Sequence, residues 1–348
     1  LILAVHLSAV LAAAEEFDEA KSYLKKAQQK SQSSEAVHFD AEMLLTNAFI
    51  ALREGHRDQA FAGLRRMLDE AENPGKRGHV GIVAPLLVDL FAEALRDDVE
   101  TDRVRRMIEE FRLRPPTPDL AHWPWPVRVR TLGKFAIEVG DKALTFEGKA
   151  PRKPLALLMS LICEGGQNVP AERLMDALWP DGESDAVAKS FRMALVRLRD
   201  LLGASDRVRV TNRMVNLDLN VVWVDALAFE RLAARSIASS DEVAAEQALA
   251  LYEGPLLPAA TDAAWAVSAR ERLRSRFIGL IATQASKLEA SGLWQEAATL
   301  YQRGIAADEL GEQLYRGWIR CLVNQGLKAD ATSVLQRLRR LLAARLNT

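Results

Sequence analysis

The sequence predicts a mainly α-helical chain in which two helical arrays flank one small α+β block. Three observations carry that expectation. Helical periodicity dominates both ends, alternating periodicity is confined to a stretch after residue 126, and a proline-rich strap marks the change of pattern. At 348 residues the chain has room for two or three domains. Hydrophobic residues at 49% and charged residues at 27% exclude wholesale disorder. Aromatics at 6%, with 13 Pro and 19 Gly, argue against a turn-rich all-β protein. Two cysteines, Cys163 and Cys321, lie far apart with no CxxC, so neither a disulfide framework nor a zinc site is expected and a reducing cytoplasm fits.

The first fourteen residues, LILAVHLSAVLAAA, lack a basic flank and fall short of the roughly 20 residues that span a bilayer. They read as a packed helix in a chain cut from something longer, and no other segment suggests a membrane span. Residues 1–113 then read as successive amphipathic helices. Leu45, Ala48, Ala51 and Leu52 recur at helical spacing, Gly55 interrupts, and Ala60, Leu64 and Leu68 resume on a second helix. Paired helices with small residues at their crossings follow tetratricopeptide logic. Glu15 to Ala27 and Val80 to Arg96 are expected as further members.

Residues 114–126, RPPTPDLAHWPWP, hold five prolines in thirteen positions and cannot continue a helix. This is a linker or strap, and Trp123 with Trp125 suggests that it is docked. After it, Val127, Val129 and Thr131 alternate with Arg128 and Arg130, and Phe135, Ile137 and Val139 alternate with polar or small residues. Leu144 and Phe146 suggest a third short strand. Helices are expected from Pro151 to Glu164, Pro170 to Leu178 and Ser184 to Leu202. A β-hairpin closes the block, with Arg207 to Thr211 and Val215 to Leu219 joined at Asn212-Arg213. Strands, three helices and a hairpin over residues 127–220 make the layout of a winged helix-turn-helix.

At this point the resemblance becomes specific. Val127 to Asn220 resembles the OmpR-type winged-helix DNA-binding domain, and more closely the version in the antibiotic regulatory protein (SARP) family of bacterial transcriptional activators. The carrying residues are LGKFAIEVG (132–140), the segment around Arg152-Lys153-Pro154-Leu155, ALWPD (177–181) and LVRLRDLLG (195–203). Val224-Asp225-Ala226 leading to Phe229 and Leu232, and then ALALYEGPLLP (248–258), resembles the entry to the bacterial transcriptional activation domain. That resemblance implies tetratricopeptide-like helices over residues 221–348, serving dimerisation or contact with RNA polymerase. Gly292, Trp294, Ala297, Ala298 and Tyr301, then Gly326, Ala329, Ala331 and Leu335, repeat at about the 34-residue period of such helices. Residues 1–113 resemble the helical sensor array of larger bacterial regulators, in which a nucleotide-hydrolysing domain comes first. No P-loop sequence occurs in this chain.

The charge distribution directs attention to the middle block. Residues 1–120 carry a net −5, residues 121–220 a net +3 and residues 221–348 a net +1. Within that block the helix from Asp185 to Leu202 has one apolar stripe, Phe191, Leu195, Leu198 and Leu202, with Ala194 and Leu201 beside it. Lys189, Arg192, Met193 and Val196 lie opposite, with Arg197 and Arg199 on the shoulders. Only the face turned away from the core can reach base edges in a major groove. The resemblance to the family's recognition helix points to Lys189, Arg192 and Arg197 as the DNA-reading residues, with Ser190 near the helix start and Arg199 on the shoulder as further DNA-binding candidates. Arg213 at the hairpin tip is placed for a narrow minor groove, with Arg207 and Arg209 beside it. Arg152 and Lys153 open a helix, where an anion such as phosphate is favoured.

The alternative for each basic residue is a solvated helix or strand face. The loop WPDGES (179–184) is either an ordinary turn or a polymerase-facing surface. The five histidines, His6, His38, His56, His79 and His122, all precede the α+β block, and no HExxH, GxSxG or GxGxxG occurs. No enzymatic activity, metal or cofactor is therefore expected. The expected partners are double-stranded DNA, RNA polymerase and a second copy of the chain on DNA, in the cytoplasm without membrane contact. The rival is a helical-repeat interaction scaffold whose winged helix does not bind DNA.

Overall fold

The computed structural model describes residues 1–31, 39–72, 84–140, 142–145 and 151–346. The chain divides into two compact units, Leu1–Pro124 and Trp125–Thr348. The first unit contains α1 (Ile2–Ala13), α2 (Phe17–Ser31), α3 (Asp40–Arg53), α4 (Arg57–Ala71), α5 (Ala84–Arg96) and α6 (Thr101–Glu110). Gly55, at φ +84°, turns the chain between α3 and α4. The two helices then cross at small residues: a Cβ on Gly63 would lie 2.9 Å from the Ala48 Cβ. Leu45, Ala48, Ala60, Leu64 and Leu68 are buried as their spacing predicts. Ala51 and Leu52 are only half-buried, and Phe49 and Ile50 fill the core in their place. The expected start of α5 at Val80, together with His38 and His79, lies outside the described residues. Trp123 and Trp125 in the proline-rich strap are both buried.

The second unit opens with β1 (Val127–Arg130), β2 (Ala136–Val139) and β3 (Lys142–Ala143). It continues through α7 (Arg152–Cys163), β4 (Val169–Pro170), α8 (Ala171–Leu178), α9 (Ser184–Leu202), β5 (Val208–Thr211), β6 (Met214–Leu217) and β7 (Val222–Val224). The third strand is thus earlier than Leu144 and Phe146: Lys142 pairs with Val139 and Ala143 with Glu138, and Leu144 follows the strand. Phe146 lies outside the described residues. One sheet has the order β3-β2-β1-β7 and the other β4-β6-β5. β1 runs antiparallel to β2, with Val129 opposite Ile137, and parallel to β7, with Val127 opposite Val222. The sheet is therefore completed by a strand beyond residue 220.

Six helices follow: α10 (Asp225–Ser239), α11 (Glu242–Leu251), α12 (Val267–Ala290), α13 (Trp294–Ala307), α14 (Glu312–Asn324) and α15 (Lys328–Leu346). They share one hydrophobic core with the α+β block, running from Val127 to Leu338 in sequence. Asp225, the first residue of α10, fastens the two parts. Its carboxylate accepts from Thr131 N–H (2.8 Å), Thr131 Oγ1 (2.6 Å), Leu132 N–H (2.9 Å) and Ala226 N–H (2.7 Å). Burial pushes this carboxyl above its ordinary value, against the pull of those donors. Beside it, Gly133 N–H donates to Pro255 O at 3.0 Å and Leu257 N–H to Thr131 O at 2.8 Å. A Cβ on Gly254 would lie 2.9 Å from the Gly133 Cα, so the loops carrying LGKF and YEGP meet where a side chain does not fit.

Candidate nucleic-acid interface

The amphipathic pattern of α9 decides which face is free. Phe191, Ala194, Leu195, Leu198 and Leu202 are buried, against α7 and α8 among others. Gly203, at φ +85°, ends the helix in the left-handed conformation that favours glycine. Lys189, Ser190, Arg192 and Arg197 are exposed on the outer face. Met193 and Val196 are exposed between them, at 49% and 50%. Among the described residues Lys189, Arg192 and Arg197 make no ion pair, and Arg192 Nε reaches only the Ala188 carbonyl, at 3.3 Å. Among the described residues, these three cations therefore stand on one helix face with no carboxylate within ion-pair distance.

The other basic residues divide by what they touch. Arg199 is half-buried and its Nε donates to Val208 O at 2.8 Å, which ties α9 to the first residue of β5. Lys153 Nζ donates to Leu178 O at 2.6 Å and sits 4.8 Å above the Trp179 ring, so it holds the end of α8 to α7. Arg152 is exposed at the first position of α7. Arg209 bonds Asp218 at 2.8 Å, and Arg207 is half-buried, where desolvation lowers its pKa. The chain thus uses Arg199, Arg209 and Lys153 as internal braces, a role that the alternating and helical patterns do not reveal.

The hairpin tip is well defined. Thr211 pairs with Met214, and the two residues between, Asn212 and Arg213, both have positive φ (51° and 62°). Two left-handed residues at a two-residue hairpin tip are the hallmark of a type I′ turn, which matches the strand twist. Arg213 projects from it with its side chain 85% exposed, 3.5 Å from Glu172. β4 adds to this ribbon through Val169 opposite Val215. The loop 179–184 has Trp179 half-buried and Pro180 to Ser184 exposed. Burial pushes the thiols of Cys163 and Cys321 up to about 12 and about 11, so both stay protonated near neutral pH. Among the described residues no cluster of His, Cys, Asp or Glu is arranged to hold a metal, and no helix is long and apolar enough to cross a membrane.

Residues 224–348 match the family model of the bacterial transcriptional activator domain. No curated protein matches the chain. Among solved structures, the chain is similar to Mycobacterium tuberculosis EmbR, whose structure is a complex with a low-affinity phosphopeptide. The two share 19% sequence identity at a TM-score of 0.50 over 64% of this chain. This chain spans 62% of the EmbR chain, and the likeness is one of fold. The family match begins at the last residue of β7 and takes in Asp225 and α10 to α15. The C-terminal helical array that shares its core with the α+β block is the part of the chain that matches the bacterial transcriptional activator domain.

Proposed function

We propose that this chain is a SARP-type transcriptional activator that binds double-stranded DNA through α9. The observation that carries the reading is the unneutralised cationic face of Lys189, Arg192 and Arg197 on a helix whose opposite side is sealed into the core. A helix of that shape fits a major groove. Arg192 and Arg197 supply forked donors for guanine edges or phosphates, and Lys189 and Ser190 meet the backbone near the helix start. Arg213 at the tip of the β5–β6 ribbon reaches an adjacent minor groove. Arg152 adds a phosphate contact at the start of α7, whereas Arg199 and Lys153 contribute by bracing the block.

In this reading residues 1–113 form a tetratricopeptide-like array for signal input and residues 114–126 link it to the rest. Residues 127–220, completed by β7, form an OmpR-type winged helix that reads a short half-site. Residues 221–348 serve dimerisation or contact with RNA polymerase. Met193 and Val196 support contact with thymine methyl groups, but two exposed apolar residues on the same face also suit a protein partner, which is the scaffold reading. Selection of duplexes from a random library, followed by fluorescence anisotropy on the Arg192→Ala and Arg197→Ala variants, separates the two. Each lost base contact is expected to cost about 1–3 kcal/mol of duplex affinity. Weak binding that ignores both salt and substitution supports the scaffold.

A further inference from the structure

The bacterial transcriptional activator domain contains a cavity of about 430 Å³ between the YEGP loop, α12 and α13, within the size range of small-molecule sites. Tyr252 lines it. The Tyr252 ring is 5% exposed and stacks on Phe277 with centroids 4.0 Å apart and planes 10° from parallel. No residue among those described hydrogen-bonds its hydroxyl, and burial raises its pKa, so the O–H is a protonated donor open to a ligand in the cavity.

Three arginines line the same cavity, and backbone carbonyls hold two of them, Arg270 and Arg303. Arg270 donates through Nε to Leu256 O (3.0 Å) and through Nη2 to Ala260 O (3.2 Å), which leaves Nη1 over. Arg303 donates through Nη2 to Leu249 O (2.8 Å) while its guanidinium lies 5.8 Å over Phe277, which leaves Nε and Nη1. Carbonyls fix the position of a guanidinium without cancelling its charge. The acidic residues on the rim are already engaged: Glu271 and Asp308 with Arg274 (2.5 and 3.4 Å), and Glu253 with Lys134 (3.4 Å). Pro255, Phe277, Ala306 and Ala307 supply an apolar wall.

We propose that this cavity binds a small organic carboxylate with an apolar body. The carboxylate takes the spare donors of Arg270 and Arg303 and the Tyr252 O–H, and the body lies on the apolar wall. Binding is measured without DNA, so this proposal stands or falls independently of the operator reading. Titration of the full chain with benzoate by calorimetry, beside benzamide and inorganic phosphate, tests it. Saturable one-to-one benzoate binding is expected, roughly tenfold or more tighter than benzamide, because the neutral amide forgoes charge-assisted hydrogen bonds. Tyr252→Phe, which removes one hydroxyl and keeps the ring stack, should weaken benzoate by roughly five- to tenfold without altering the melting curve. Arg303→Gln should weaken it further. Should Arg303→Gln fail to fold, Tyr252→Phe alone decides. No saturable benzoate binding, a preference for phosphate, or benzoate binding indifferent to Tyr252→Phe overturns the proposal.

Discussion

The N-terminal array and the outer face of α9 use arginine in opposite ways. In the array, Arg57 lies 2.8 Å from Glu93 and 2.6 Å from Asp97. Arg103 meets Asp69, Glu72 and Glu100 at 2.9, 3.0 and 3.4 Å. Most of these ion pairs tie α4 to α5 or to α6, so the charge is consumed in holding the stack. On α9, Lys189, Arg192 and Arg197 meet no carboxylate among the described residues, although Asp185 and Asp200 lie on the same helix. The lesson is that net charge alone is a poor guide to a binding face. The middle block's +3 is modest, and what distinguishes it is where the neutralising partners are missing.

That contrast yields graded tests. The largest effect is expected from Asp225→Ala, which strips an acceptor from buried N–H groups of Thr131 and Leu132 and should cost about 3 kcal/mol or more in chemical denaturation of the full chain. A loss confined to a few tenths would mean that the carboxylate is not the fastener. Next, Arg192→Ala and Arg197→Ala should each lower duplex affinity by about 1–3 kcal/mol with the melting curve unchanged. Each neutralised phosphate lost should also flatten the plot of log affinity against log salt by about 0.9. Loss of stability with affinity intact would place these residues in the same bracing role as Arg199.

A smaller effect is expected in the C-terminal array. Glu289 accepts from Arg320 at 2.7 Å and from the Tyr301 hydroxyl at 2.7 Å, and those bonds hold its carboxyl below the ordinary value. A depressed carboxyl stabilises the fold above the unfolded-state value and loses that contribution as pH falls through the folded one. Denaturation at stepwise lower pH should therefore show a wild-type decline that Glu289→Gln lacks, the variant already being weaker by about 1 kcal/mol at neutral pH. Parallel curves would remove Glu289 as a source of the acid response. Smallest of all, Arg57→Ala should cost under about 1 kcal/mol, because its pairs are part-exposed, and should leave duplex affinity untouched. Any change in DNA binding there would break the contrast between the two regions.

Long periodic elements were legible from the chain alone. The α9 stripe, the break at Gly55 and the two-residue hairpin tip all follow from local spacing and φ preference, and the structure places each where the pattern does. The short strands were not. β7 is three residues long, uniformly apolar and runs straight into α10, so it lacks the alternation that marks a half-buried strand. β4 is two residues and contains Pro170, which argues against a strand until an edge position is known. Side-chain roles were legible only in part. Lys153 and Arg199 look as available as Lys189 in sequence, and only Leu178 O and Val208 O, 25 and 9 residues away, show otherwise. Asp225 stands in a recognisable segment, yet its partners are 93 and 94 residues distant.

The parallel pairing of β7 with β1 has a consequence for anyone exchanging modules. A cut at the end of the hairpin leaves the N-terminal fragment with an open sheet margin and no carboxylate for the amides of Thr131 and Leu132. A chimera that borrows a foreign activator array must import the donor's matching strand and acid as well. The α+β block and the C-terminal helices here are welded at a seam and cannot be parted cleanly at residue 220.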